Sequence, residues 1–210
     1  MSVEPIELRS DRLLLSAPGE RDVDTVAALC QDPEIQRWTT VPSPYTRDDA
    51  VGFVLNVVPP GWERGTSCTW GIRLAKGEGA FGPLVGMIGL DHVDTGSAEL
   101  GYWLSPSSRG TGIMSESVRL VLHFGFDTLG LQRIVWHAFT GNVPSAAVAR
   151  RAGFQFEGTS RRGAVQRGTR LDSWQAGLLA DDPRTVGTGW PAETLGPLAA
   201  SRTRAARERP

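Results

Sequence analysis

Residues 98–117 read AELGYWLSPSSRGTGIMSES, and the reading of that stretch decides the fold. Its first half alternates in the manner of a strand, and Pro106 ends the alternation. Its end starts a spacing of three and four (Ile113, Ser117, Leu120, Val121, Phe124) that predicts a helix to residue 129, with Gly130 as C-cap. Between strand and helix, Gly110 and Gly112 flank Thr111, and Arg109 stands in front. One reading is an ordinary turn. The other is an anion cradle: a helix N-terminus presents unpaired N–H groups and the positive end of its dipole, and glycine removes the Cβ atoms that would hold an anion away. Arg109 adds a forked cationic donor. The stretch is not a Walker loop, because no Lys-Ser or Lys-Thr pair follows the glycines, and it lacks the third glycine of the dinucleotide fingerprint. Locally, turn and cradle both remain open.

Upstream, residues 67–75 (SCTWGIRLA) and 82–93 (GPLVGMIGLDHV) alternate as strands, and with 97–105 they form an antiparallel meander. Residues 12–16 (RLLLS) are an earlier strand. A helix follows with Asp22 as cap and Val23, Val26, Ala27 and Cys30 on one face. The segment QDPEIQRWTTVPSPYT reads as a proline-rich loop. Thr46 and Asp49 form a capping box for a second helix, which Pro59, Pro60 and Gly61 stop. Downstream come a strand at 132–140, a short helix capped by Asn142 with Pro144 in its first turn, and two last strands, FQFEGTS and TRLDSWQAGLL. The expected class is α/β in the mixed α+β sense: a central mixed, mostly antiparallel sheet of about seven strands with about four helices. The strand–helix–strand passage from 97 to 139 is the parallel exception.

From residue 181 the chain turns to proline, glycine and arginine with little periodicity. Residues 1–180 are therefore read as one domain, and 181–210 as a tail, weakly ordered or docked through Trp190 and Leu195. The chain has 210 residues, 40% of them hydrophobic, which supplies a core without covalent staples. A net charge of -1 argues against a dedicated nucleic-acid binder. Cys30 and Cys68 cannot make a disulfide framework and suit a reducing compartment. The first twelve residues carry charges and a proline where a secretory signal needs an apolar run, and no apolar run is long enough to span a bilayer. The expectation is a soluble, cytoplasmic protein that binds neither membrane nor nucleic acid and holds no metal.

The motifs taken together go further. RGTGIM (109–114), set against the pattern RxxGxG/A, after a GYWL strand, then NVPS (142–145), then AGFQFEG, resembles the GNAT superfamily of acyl-CoA-dependent N-acetyltransferases. Within it the chain is similar to the RimJ/RimL-like branch, the ribosomal-protein-alanine N-acetyltransferase-like proteins, whose founding members acetylate N-termini of ribosomal proteins. LRSDRLLLSAP (8–18), DPEIQRW (32–38), residues 98–117 and 129–161, and LDSW (171–174) carry the likeness, which covers residues 8–180. Met114 departs from it, standing where the motif usually closes with glycine or alanine.

The resemblance implies the GNAT fold, with a V-shaped splay between strands four and five. It also implies direct transfer of an acyl group from acetyl-CoA, or another acyl-CoA, to a primary amine through a tetrahedral intermediate. The amine is a protein N-terminus or a small molecule. Backbone amides of Arg109, Gly110, Thr111, Gly112, Ile113 and Met114 take the pyrophosphate. Trp103 and Leu104 face the pantetheine and thioester, with a backbone N–H near Leu104 as oxyanion donor. Asn142 and Ser145 contact the cofactor, and Ser145 serves the leaving thiolate. Glu99 is the first candidate base, with His92 beside the acceptor. Trp38 and Tyr45 are further acceptor contacts. A homodimer through the last strands is also expected. The competing reading is a catalytically weak CoA-binding regulatory module.

Overall fold

The computed structural model describes residues 4–77 and 79–195. The described residues divide into two compact units, with the boundary between Ile134 and Val135. Among the described residues there are eight strands, one more than expected, because a two-residue strand β1 (Leu8–Arg9) precedes β2 (Leu13–Ser16). The class is mixed α/β with mostly antiparallel strands.

In the first unit, β1 and β2 are followed by the helices α1 (Val23–Leu29), α2 (Pro33–Trp38), α3 (Arg47–Val51) and α4 (Val58–Arg64). The meander β3 (Cys68–Gly77), β4 (Ala80–Asp91) and β5 (Ser97–Leu104) comes next, and then α5 (Ile113–His123). Each of these strands pairs antiparallel with the next, from β1 to β5. The meander expected from the alternation is therefore present, and its register places Trp70, Ile88 and Tyr102 side by side.

Two local expectations are corrected. The segment read as a loop contains α2, which Asp32 caps by accepting from the Ile35 N–H at 2.9 Å, with Pro33 opening the helix. The prolines at 59 and 60 do not stop the second helix. A π-helical turn (Gly52–Val57) joins α3 to α4, and the prolines lie in the first turn of α4, where a missing N–H forfeits no internal bond. The helix ends instead at Gly65, in the left-handed conformation.

Alternation gives the meander two different faces. On one, fully buried Trp70 meets Trp62 edge-on at 4.9 Å and Phe124 at 5.3 Å. On the other, Leu84 and Met87 join Val23, Val26, Cys30, Ile35, Tyr45, Ala50 and Val54, with Trp103 packed against them. A charged pair also lies inside this unit. Arg73 Nη2 is 2.7 Å from Asp22 Oδ2, with side chains only 6% and 4% exposed.

The second unit takes in β6 (Arg133–Phe139) from Val135 onward, α6 (Val143–Arg151), β7 (Gln155–Gln166) and β8 (Thr169–Leu179). The last two form a long antiparallel hairpin with β8 next to β6. Beyond it, Trp190 lies 5.7 Å from the Trp136 ring and 5.4 Å from Phe156, and its Nε1–H donates to the Phe154 carbonyl at 3.0 Å. No described helix is long and apolar enough to cross a membrane.

Candidate active site

β5 ends at Leu104, a short turn (Pro106–Ser108) follows, and α5 starts at Ile113. Gly110 and Gly112 have φ of 75° and 83°, in the left-handed region where side chains are strained. A Cβ built on either glycine would meet nothing within 4 Å, so the space beside both is open. Among the described residues no side chain caps α5. Its first internal bond runs from the Glu116 N–H to the Gly112 carbonyl, leaving the amides of Ile113, Met114 and Ser115 as bare donors at the helix end. Ile113 and Met114 are both buried, Met114 to 7% exposure. The large residue that departs from the family pattern thus turns its side chain into the protein and leaves the amide end clear.

Three braces hold the turn. Thr111 Oγ1–H donates to the Ser108 carbonyl at 2.6 Å. Arg109 donates through Nε to the Leu104 carbonyl at 3.1 Å and through Nη2 to Asp32 Oδ1 at 2.5 Å. Arg12 Nη2 donates to the Thr111 carbonyl, and Arg12 Nη1 stands 3.4 Å from Glu116 Oε2. Ser10 Oγ–H donates to the other Glu116 oxygen at 2.5 Å. The Arg109 side chain is thus committed to protein groups, and the open donors of the turn are backbone amides. Burial opposes ionisation of Asp32, but the hydrogen bonds from Arg109 and from the Ile35 amide outweigh it and hold the carboxyl below its usual range.

Trp103 and Leu104, the positions expected beside the thioester, are the last residues of β5; Leu104 is buried and Trp103 packs on the helical cluster. Glu99 lies on the same strand and the same face as Trp103, four residues earlier, or about 13 Å at the rise of a strand. Directly across the ladder from Glu99 stands Asp91. Desolvation raises the Asp91 carboxyl, neighbouring His92 opposes that, and the charge of Glu99 adds to it. His92 itself is exposed, with φ of 51°.

Trp38 closes α2. Its Nε1–H donates to Glu34 Oε2 at 2.8 Å, and the Arg37 guanidinium lies 4.6 Å over its ring. Tyr45 is placed in the core, hydrogen-bonded to the Cys30 thiol, and burial pushes both groups up, Cys30 to about 12. In the second unit, Asn142 caps α6 by accepting from the Ser145 N–H at 3.3 Å, and Ser145 Oγ accepts from Trp136 Nε1–H at 3.1 Å.

The structure therefore gathers Trp103, Leu104 and residues 109–114 into one strand–turn–helix element, with Glu99 and His92 at the far end of the same ladder. The supporting residues Ser10, Arg12, Asp32 and Glu116 were not singled out by motif. The one available sign was that two of the matching segments, 8–18 and 32–38, end up on the turn.

Comparison with known proteins bears on the family and the fold. The family described as the acetyltransferase (GNAT) domain matches residues 12–155. The uncharacterized N-acetyltransferase YoaA of Bacillus subtilis is 29% identical over 168 residues, covering 79% of this chain and 92% of that protein. The ribosomal-protein-serine acetyltransferase of Escherichia coli is 35% identical over 77 residues, 36% of this chain and 43% of that one. Among solved structures, Mycobacterium smegmatis RimJ in complex with CoA-disulfide superposes with a TM-score of 0.72 at 22% identity, covering 97% of this chain and 94% of that one.

Proposed function

We propose that this chain, which belongs to the GNAT acetyltransferase family, takes an acetyl group from acetyl-CoA and gives it directly to a primary amine at a protein N-terminus. The observation that carries the reading is the turn before α5: two left-handed glycines with open space beside them and three unpaired amides behind. That set of donors fits a pyrophosphate, because the helix end supplies positive potential and no side chain blocks close approach.

Acetyl-CoA supplies the activated thioester. The amides of residues 110–114 bind its diphosphate, and the braces from Arg109, Arg12 and Thr111 keep those amides aimed. A backbone N–H at the end of β5 near Leu104 stabilises the oxyanion, a role typically worth about 2.7–4 kcal/mol of barrier. Glu99 takes the proton of the attacking ammonium through ordered water, since its place on β5 is too far from Leu104 for direct transfer. Ser145 serves the leaving thiolate and Asn142 holds its helix in place. Trp38 is the aromatic contact for the acceptor. The likeness to a ribosomal-protein-serine acetyltransferase supports a peptide amine as acceptor, and the lack of a membrane-spanning helix among the described residues agrees with work in the cytoplasm.

The test is calorimetric titration of acetyl-CoA into the wild type and into Gly112→Trp, followed by turnover with hexapeptides beginning with Ser or Ala. Saturable binding lost in the variant, with acetylated peptide formed by the wild type, supports the reading. Equal binding by both proteins removes the assigned cradle, and binding without turnover removes the peptide acceptor.

A further inference from the structure

The segment that follows β8 is rich in proline and glycine, yet it is built into the second unit. A Cβ on Gly153 would stand 2.9 Å from the Pro183 carbonyl oxygen and 3.1 Å from that of Thr185, at a residue whose φ is 101°. Gly187 is buried, and its N–H donates to the Arg150 carbonyl at 2.8 Å. A Cβ there would stand 2.3 Å from the Phe154 carbonyl oxygen. At both glycines backbone meets backbone, and the two contacts seat Trp190 on the body. Trp190 is 7% exposed, held by its N–H on the Phe154 carbonyl and laid against the Trp136 ring. Trp136, only 1% exposed, donates the one polar hydrogen of its indole to Ser145 Oγ. A line of contact thus runs from the segment after β8 to a residue that the reaction above uses.

We propose that Trp190 is a positioning residue for the acyl transfer: seated on Trp136, it fixes the indole that holds Ser145 Oγ in place for the departing sulfur. The inference rests on the reading of Ser145 as the residue that serves the leaving thiolate, and it extends the machinery to a segment beyond the family match at residues 12–155. When the tetrahedral intermediate collapses, the C–S bond breaks and its electron pair leaves on sulfur. Ser145 offers that sulfur a hydrogen bond and keeps its own proton. A thioester sulfur is a weak acceptor and a thiolate a strong one, so the interaction strengthens as the bond breaks. It therefore lowers the barrier more than it tightens binding. Its strength depends on where Oγ stands. The Asn142 cap fixes the backbone of Ser145, but a serine side chain still has three staggered positions. The Trp136 N–H favours the one that brings Oγ to the indole, and accepting there turns the hydroxyl proton away from the ring. An indole free to tilt would release that choice, and the Trp190 ring packed against it opposes the tilt.

The experiment measures kcat in the full chain, by release of CoA thiol with a Ser- or Ala-initiated hexapeptide, and acetyl-CoA affinity by calorimetry. Trp190→Leu removes the buttressing ring. Trp136→Phe removes the N–H while keeping an aromatic ring beside Trp190, and it reads the same link if Trp190→Leu does not fold. Each should lower kcat about ten- to hundredfold and leave acetyl-CoA affinity unchanged. Trp190→Phe returns a ring to the seat and should recover most of kcat. In a Ser145→Ala background neither change should cost further kcat, because both act through a hydroxyl already removed. Losses that multiply in the double variants overturn the inference. So does a Trp190→Leu protein that melts lower but keeps wild-type kcat, which is packing alone. Ser145→Ala by itself separates this from the parent reading. If it keeps full turnover, or the wild type acetylates no peptide, the role of Ser145 falls and that of Trp190 with it. If it loses turnover while Trp136→Phe keeps it, only the link from Trp190 to Ser145 falls.

Discussion

Arg109 Nη2 lies 2.5 Å from Asp32 Oδ1, so the residue that opens the glycine turn is tied to the residue that caps α2. One carboxylate thereby does two jobs, accepting from the Ile35 amide and from a guanidinium 77 positions away in sequence. Substitution should separate the two effects. Asp32→Ala removes cap and anchor together and should cost about 0.5–2 kcal/mol of stability through the cap, while weakening acetyl-CoA binding through the loosened turn. Arg109→Ala should weaken binding and leave α2 capped. Thermal melts and calorimetry on the two variants check this; equal loss of stability in both would mean the ion pair, not the cap, is the structural contribution.

The same carboxylate sets a pH dependence. Its folded value is held below the ordinary one, so its contribution is fully present above the ordinary range and is lost as pH falls through the folded value. The difference in melting temperature between wild type and Asp32→Ala should stay constant from pH 8 to about 5 and shrink below about 4. A difference that persists into acid would show that the charge of Asp32 is not what holds the two segments.

Asp91 has the opposite sign. A carboxyl whose folded value is raised binds its proton more tightly in the folded state, so the folded protein loses stability as pH rises from the unfolded value through the folded one. Asp91→Asn should therefore melt higher than wild type at pH 7, and the gain should vanish in acid below about pH 4. A variant that melts lower at neutral pH would mean the Asp91 charge is stabilising where it stands.

The internal pair of Arg73 and Asp22 calls for a different experiment. Asp22 also accepts from the Gly19 N–H at 2.9 Å, and Arg73 Nε–H donates to Ser16 Oγ at 3.2 Å. Asp22→Ala leaves a guanidinium buried without its partner and should cost about 3–5 kcal/mol, read by urea unfolding. The double change Arg73→Met with Asp22→Leu removes both charges and should recover most of that loss. A double variant as unstable as the single one would show that the polar links to Ser16 and Gly19 matter more than the pairing of charge.

What could be read in the sequence follows from the range of the forces involved. Strand alternation in β3, β4 and β5 and the glycine turn before α5 are local patterns, and they appear where the spacing put them. The helix α2 was hidden because Asp32-Pro33 suits both a turn and a capped helix start, and the prolines nearby favoured the turn. Pro59 and Pro60 misled for a related reason: a π-helical turn resets the register before them, and nothing local announces it. The braces on the glycine turn join Ser10, Arg12, Asp32, Arg109 and Glu116, residues as far as 106 positions apart, and only the fold brings such groups together. Tyr45 illustrates the limit for single aromatics: expected as an acceptor contact, it instead fills the core beside Cys30.

That core placement makes a last prediction. Burial pushes both thiols up to about 12: at Cys30 a hydrogen bond with Tyr45 works weakly against it, and at Cys68 the charge of Asp91 adds to it. The reactive species is the thiolate, and at pH 8 almost none is present at either position. A thiol-disulfide reagent added to the native protein at that pH should therefore react only as fast as the chain opens, and two equivalents should react at once in denaturant. Tyr45→Phe removes the hydrogen bond while keeping the ring, so it should leave Cys30 equally protected. Prompt modification of one thiol in the native wild type would mean that either the α1–α3 cluster or the β3 edge opens far more readily than its packing implies.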